Sequence, residues 1–403
     1  MGRCQFPEYP GEKRSDGMLR SILVFLSVLV GCSPMLCGPA SAGRLKSPYA
    51  EAPRTRVAVA AVGKCAAPPP AVRDLDIVTI YREGDKSWSQ TDPERARIRE
   101  EKVKPLHAYL ARIVEFGNKA MMGRGEARSQ AQSCLLSWLD SWAGEGALLG
   151  TLPQEGQYER KWALVSIGLS YLQAYAGEAE VPPPPQRIAQ WLRQLASVLP
   201  DEYPAGTRFK NNHYYWAGLA SVVAGTILDD RNMYAWGMKQ YELGVSAVDK
   251  DGFLPNELVR KERALAYSAF STSALVMMAA FARANGEDVV SAHQNALPRL
   301  ANSVLSGLAD PGPFERHSGK QMPWDNARIQ ASLSWVEIYY AMTGDAAAQP
   351  WLRALRPFST IWLGGNVTGA FGVSVPPGPV AHSAFFPART ATEPERGSVG
   401  TGR

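Results

Sequence analysis

The sequence predicts an all-α fold, a single (α/α) toroid or bundle of paired antiparallel helices around a central groove, and three observations carry that prediction. Apolar residues recur at helical spacing between residues 91 and 355, in roughly ten segments separated by short polar or Pro/Gly-rich connectors. Strand alternation is almost absent. No unit of about 34 or 40 residues repeats, which sets aside superhelical arrays. Helix hairpins without a repeat close on a shared core, and their ends and loops line a groove.

Residues 1–42 read as a leader. Arg20 precedes the apolar run Ile22–Val30, and Ala40-Ser41-Ala42 offers an A-x-A cleavage site before Gly43. The run is too short to span a bilayer, so no stable membrane insertion is expected. Residues 1–17 are polar, which makes Met18 a second candidate start. Leu29-Val30-Gly31-Cys32 offers lipoprotein processing at Cys32 as the alternative to cleavage after Ala42. Either route exports the chain, and the expected location is the periplasm.

Residues 43–75 are rich in Pro, Ala and Arg and read as an extended or mobile arm, tied down at Cys65. The helical domain is expected over 76–375. Thr91-Asp92-Pro93-Glu94 starts its first helix with a cap, a Pro at the first helical position and an acid in the first turn. That helix is expected to reach Met122 with a kink or division at Pro105. A second, from about 126 to 143, puts Cys134, Leu135, Trp138, Leu139 and Trp142 on one face. Further helices are expected over 158–176, 186–199, 213–228, 233–248, 257–284, 289–306, 326–343 and 351–355. Leu363–Val367 reads as a short extended piece, and 376–403 as a disordered tail.

The formal net charge is +5 with no long Lys/Arg run, so nucleic acid is not an expected partner. A mild positive balance suits an anionic polymer. Three of five cysteines (Cys4, Cys32, Cys37) fall in the leader, leaving Cys65 and Cys134. An exported protein would pair them in one disulfide, the alternative being two buried thiols. No C-x-x-C or paired His spacing points to a metal.

The chemistry concentrates in Lys210-Asn211-Asn212-His213-Tyr214-Tyr215-Trp216, with Asn256-Glu257-Leu258-Val259-Arg260 and Tyr267 further on. Amides, an imidazole, phenols and an indole in one run form a sugar-binding vocabulary. On a helix over 257–284, Arg260 and Tyr267 lie two turns apart on one face. Such a set suits β-elimination from a uronic acid polymer. The C5 proton becomes removable when Arg260, Asn212 and His213 neutralise the adjacent carboxylate. Tyr267 would then act as base and as acid to O4, its phenol drawn below its usual value near 10 by the guanidinium. His213, ordinarily near 6.5, is the alternative base. Spacing alone leaves open a structural His213 and a solvated Arg260.

Asn211-Asn212-His213-Tyr214-Tyr215-Trp216, Gly252-Phe253-Leu254-Pro255-Asn256-Glu257-Leu258 and Arg263-Ala264-Leu265-Ala266-Tyr267 resemble the poly(β-D-mannuronate) alginate lyases of polysaccharide lyase family 5. Arg160-Lys161-Trp162-Ala163-Leu164 and Leu363-Gly364-Gly365-Asn366-Val367-Thr368 extend the resemblance from about Cys65 to Thr368. It implies an incomplete (α/α) toroid with a deep, tunnel-like substrate cleft, a Cys65–Cys134 disulfide and no metal or organic cofactor. It implies cleavage of β-1,4-linked mannuronate in alginate, leaving 4,5-unsaturated ends. Asn212 and Arg260 would neutralise the carboxylate, His213 and Tyr267 would move protons, and Arg160, Lys161, Trp162 and Tyr215 would meet the sugar. The lid departs from the family's Ser-Lys-Tyr, reading Thr79-Ile80-Tyr81-Arg82-Glu83-Gly84-Asp85, so Tyr81 or Arg82 is expected to take over that contact. Two other functions stay open: elimination on another polyuronate such as glucuronan, and a non-catalytic polysaccharide-binding part of an export complex.

Overall fold

A computed structural model describes residues 43–51, 63–207, 209–323 and 326–384. The leader expected over 1–42, and the tail from residue 385 on, lie outside the described residues.

The helices are α1 (Pro93–Met122), α2 (Gly125–Gly144), α3 (Gln154–Ala174), α4 (Gln186–Ser197), α5 (Leu199–Glu202), α6 (Asn212–Leu228) and α7 (Arg231–Ser246). After them come α8 (Pro255–Leu258), α9 (Ala264–Ala284), α10 (Ala292–Ala309), α11 (Gly312–Ser318), α12 (Asn326–Ser332), α13 (Trp335–Thr343), α14 (Gln349–Leu355) and α15 (Val367–Phe371). Helix α3 lies beside α6, α6 beside α9, and α9 beside α13. Both α6 and α9 are apolar nearly all round and buried over most of their length, the pattern of an inner helix. By length and composition α9 would suffice to cross a membrane, but it is buried in the protein core. Outer helices carry one apolar stripe. On α4 it is Ile188, Trp191, Leu192, Leu195 and Ala196, at i, i+3, i+4, i+7 and i+8.

The tightest hairpin joins α6 to α7. A Cβ on Gly218 would come within 2.6 Å of Gln240 Cβ, and one on Gly237 within 2.4 Å of the Gly218 carbonyl. Only glycines admit backbones this close, so the pair sets the separation of the two helices. Between α13 and α1 the inner wall is completed by β1 (Ser359–Thr360), antiparallel to β2 (Gly365–Asn366), and by α15. Asn366 N donates to Asn118 Oδ1 at 3.2 Å, anchoring this segment on α1.

Several predicted boundaries change. Helix α1 runs through Pro105 undivided, because Pro105 and Glu101 face solvent and water can satisfy the carbonyl that loses its donor. The predicted 257–284 helix is broken. Pro255–Leu258 forms one turn, Lys261–Arg263 a 3₁₀ turn with Lys261 in the left-handed region (φ 48°), and the long helix begins at Ala264. The 326–343 segment likewise divides at Leu333–Ser334. The described part of the arm over 63–75 is docked on the domain: Trp138 Nε1 donates to Ala66 O (2.8 Å), Trp142 Nε1 to Pro69 O (2.9 Å), and Cys65 is bonded to Cys134. Residues 376–384, expected in the tail, hold on to the domain through Arg353, whose Nη1 and Nε donate to the Pro376 and Pro379 carbonyls at 2.6 and 2.7 Å.

Candidate active site

Three inner helices deliver their N-terminal turns to one place. Tyr158, Lys161 and Trp162 come from α3, Asn212 and His213 from the start of α6, and Tyr267, Phe270 and Ser271 from α9. Ring contacts link them: Trp162 lies 5.9 Å from His213 and 5.8 Å from Phe270.

Asn212 is held by a buried carboxylate. Glu257, on the short α8 turn, accepts from Asn212 N at 2.6 Å, from Asn212 Nδ2 at 3.3 Å and from Ser271 Oγ at 2.8 Å. Burial pushes the Glu257 carboxyl above its usual range, opposed by Arg260 and these hydrogen bonds. Asn212 Oδ1 is buried without a partner. Buried polar atoms are as a rule hydrogen-bonded, so this one stands out among the described residues.

The break before α9 shapes the second cluster. Because the chain turns at 259–263, Arg260 folds back over the first turn of α9, its Cζ 3.6 Å from the Tyr267 ring centroid. Its Nη2 donates to the Trp88 carbonyl (3.1 Å) and to Tyr81 Oη (3.3 Å), while its Nε has no partner. The Tyr81 and Tyr267 hydroxyls are hydrogen-bonded to each other. Burial raises the Tyr267 phenol well above its ordinary value, and the Arg260 guanidinium works in the opposite sense.

Tyr81 and Trp88 belong to a loop folded over the site. Tyr81 bridges Thr91, Arg82 N donates to Gln90 O at 2.9 Å, and the Asp85 carboxylate accepts from the backbone N–H groups of Ser87, Ser89 and Gln90. Arg263 pins the same loop, donating to Ser89 O (2.7 Å) and Thr91 Oγ1 (2.6 Å).

Lys161 and His213 form the third cluster. Lys161 Nζ lies 3.1 Å from His213 Nδ1, and the Tyr158 ring stacks on the imidazole at 3.7 Å between centroids. Burial first, then Lys161, Arg260 and Arg99, hold His213 well below the usual imidazole value. Burial also pushes the Tyr158 phenol up to about 12. Trp162 borders Trp362, 6.1 Å away, and Trp362 meets His107 at 5.3 Å, extending the chain of ring contacts from His213. Among the described residues no group of three or more His, Cys, Asp or Glu is arranged to hold a metal.

Of the residues predicted from sequence, Asn212, His213, Arg260, Tyr267, Tyr81 and Trp162 come together. Three do not join them. Arg160 is buried and paired with Glu202, because the helix turns it away from its neighbour Lys161. Tyr215 is 1% exposed, with its hydroxyl donating to Lys210 O at 3.3 Å, so it packs in the core. Arg82 is exposed, turned outward by the strand-like alternation that turns Tyr81 inward. Lys161 is present but fully buried, touching His213 and not the cleft surface. Sequence reasoning missed Tyr158, and it named Glu257 and Arg263 within motifs without assigning either a role. Tyr158 had a legible signal, since it stands three residues before Lys161 on the same helix face.

Comparison with known proteins agrees with this architecture. An alginate lyase from Azotobacter vinelandii is 36% identical over 296 residues, covering 70% of this chain and 79% of that protein. A polysaccharide lyase from Stenotrophomonas maltophilia is 33% identical over 321 residues, covering 78% and 93%. The fold is shared with the crystal structure of alginate lyase A1-III from Sphingomonas species A1, at TM-score 0.63 and 21% identity, covering 82% of this chain and 91% of that one. It is shared equally with a variant of alginate lyase A1-III complexed with a tetrasaccharide, at TM-score 0.67 and 22% identity over 83% and 92%. Residues 78–314 match the family model described as alginate lyase, and the chain belongs to that family.

Proposed function

We propose that this protein cleaves β-1,4-linked mannuronate in alginate by β-elimination, leaving a 4,5-unsaturated uronate at the new non-reducing end. The carrying observation is the Arg260 guanidinium over the Tyr267 ring, with Asn212 held by Glu257, a carboxylate within the field of Arg260. A positive group beside a phenol serves elimination well. The guanidinium and Asn212 offset charge that moves into the C6 carboxylate as the C5–H bond breaks. Once the Tyr267 phenol has given up its own proton, a loss that Arg260 favours and burial opposes, its oxygen takes the C5 proton and returns it to O4 as the glycosidic bond breaks. In mannuronate both atoms lie on one face of the ring, so a single tyrosine serves both steps. Binding alone does not need such a pair, which argues against a non-catalytic export component.

The relatives' names support alginate as the substrate. The leader pattern and the Cys65–Cys134 disulfide support export to the periplasm. The test is ultraviolet absorbance of the new conjugated double bond on polymannuronate, polyguluronate and glucuronan. A rise fastest on polymannuronate is expected. Preference for either other polymer would overturn the mannuronate assignment, and silence on all three would overturn elimination.

A further inference from the structure

We propose that Lys161 is a positioning residue for this reaction: it donates a hydrogen bond from the core to His213 Nδ1, so the ring proton sits on Nε2 and His213 meets the sugar as a donor. The inference rests on the elimination reading above.

Lys161 is 0% exposed, so it does not act as a cationic contact for a polymer. Its Nζ is 3.1 Å from His213 Nδ1. Three aromatic faces enclose the same nitrogen, with ring centroids of Tyr158, Trp162 and Tyr203 at 4.1, 4.4 and 5.3 Å. Such faces attract an ammonium. Burial, the largest influence, holds Lys161 well below its usual value, and the carboxylates of Glu159, Glu155 and Glu202 oppose it. The three ring faces select the ammonium form of Lys161, which has three N–H groups and no lone pair and so can only donate. Nδ1 must then carry the lone pair.

The ring has little freedom to evade this arrangement. Tyr158 stacks on it at an interplanar angle of 20°, and His213 N donates to Asn211 Oδ1 at 3.2 Å. Burial and the surrounding cations keep the imidazole neutral, leaving it one proton. That proton lies on Nε2, which has no partner among the described residues. An Nε2–H cannot accept the C5 proton. It can donate to the uronate carboxylate, where negative charge grows, and the base is then Tyr267.

Nitrogen NMR on the full-length wild-type protein labelled with ¹⁵N at histidine reads the tautomer directly, with the His213 signals identified by their loss in His213→Gln. We expect a pyridine-type Nδ1 and a pyrrole-type Nε2 in the wild type. Kinetics on polymannuronate supply a second readout. Lys161→Met should lower kcat on the order of 10²-fold with KM little changed, since no sugar contact is lost. Lys161→Arg, which keeps a donor, should recover part of that loss. Melting temperature should hold or rise in Lys161→Met, because a buried charge is replaced by an apolar chain of similar length. A pyrrole-type Nδ1 in the wild type would overturn the proposal, as would a Lys161→Met enzyme that raises KM alone. If Lys161→Met does not fold, the wild-type spectrum still decides. A wild type inert on every uronate would remove the elimination reading while leaving the tautomer measurement intact.

Discussion

The Arg260 guanidinium carbon lies over Tyr267, 3.6 Å from the ring centroid, although the two residues are not on one helix. The left-handed Lys261 between them reverses the chain and lays the arginine over the tyrosine. The guanidinium is held there by Nη2, which donates to both Trp88 O and Tyr81 Oη. Arg260→Lys keeps the charge but loses the flat face and the fork. Its kcat/KM on polymannuronate should fall on the order of 10²-fold or more, the loss typical of one transition-state donor. Wild-type rates in Arg260→Lys would mean that only net charge matters.

Tyr267→Phe tests the proton path. It removes one hydroxyl and its hydrogen bond to Tyr81, and leaves the ring under Arg260 in place. Loss of a general acid–base group typically costs about 10²–10⁴-fold in kcat. We expect a value at the upper end, because one oxygen serves both steps, with KM changed little. Full activity in this variant would dismiss Tyr267 as the proton carrier.

Much of this site was legible in the sequence, and the rest was hidden for identifiable reasons. Asn212, His213, Arg260 and Tyr267 stood out because polar and aromatic residues interrupt otherwise apolar inner helices. A continuous helix would put Arg260 and Tyr267 two turns apart on one face, yet they meet across a break. Pro255 starts one turn and a left-handed Lys261 ends the next, and local periodicity does not register a left-handed residue that is not glycine. Tyr215 and Arg160 were read as sugar contacts because their neighbours are; helical rotation of about 100° per residue carries each to another face. Glu257 was hidden for a different reason. A carboxylate in an apolar segment gains meaning only when Asn212 and Ser271, distant in sequence, arrive around it.

Glu257 gives a stability prediction. Glu257→Ala leaves the Asn212 backbone N–H, its side-chain amide and the Ser271 hydroxyl without their acceptor in a buried site. The cost should be roughly 3 kcal/mol or more, with activity lost as Asn212 is released. Glu257→Gln retains one carbonyl oxygen and should lose less than half as much. Urea denaturation of both variants checks the order, and equal losses would show that the cavity, not the hydrogen bonds, sets the cost.

The disulfide should matter for stability and not for chemistry. Cys65–Cys134 links positions 69 residues apart and fastens the arm to α2, which contributes none of the site's residues. Chain-entropy arguments put such a closure at about 4 kcal/mol. The double variant Cys65→Ser with Cys134→Ser should lose stability of that order in denaturation while kcat stays within about twofold of wild type. A large drop in kcat would tie the arm to the catalytic site instead.

Acid should weaken the fold through His213. Its folded-state value is depressed by burial and by Lys161, Arg260 and Arg99, whereas the unfolded ring titrates at the ordinary value of 6.5. Between those two values the unfolded chain binds the extra proton, so stability falls as pH drops through 6.5 and stops falling once pH is below the folded value. Within that window one proton contributes a slope of up to about 1.4 kcal/mol per pH unit. His213→Gln removes this contribution and should flatten the dependence between pH 7 and the folded value. Denaturation midpoints for both proteins across that range are the measurement. Parallel curves would mean that His213 titrates normally and that its pocket is open to water.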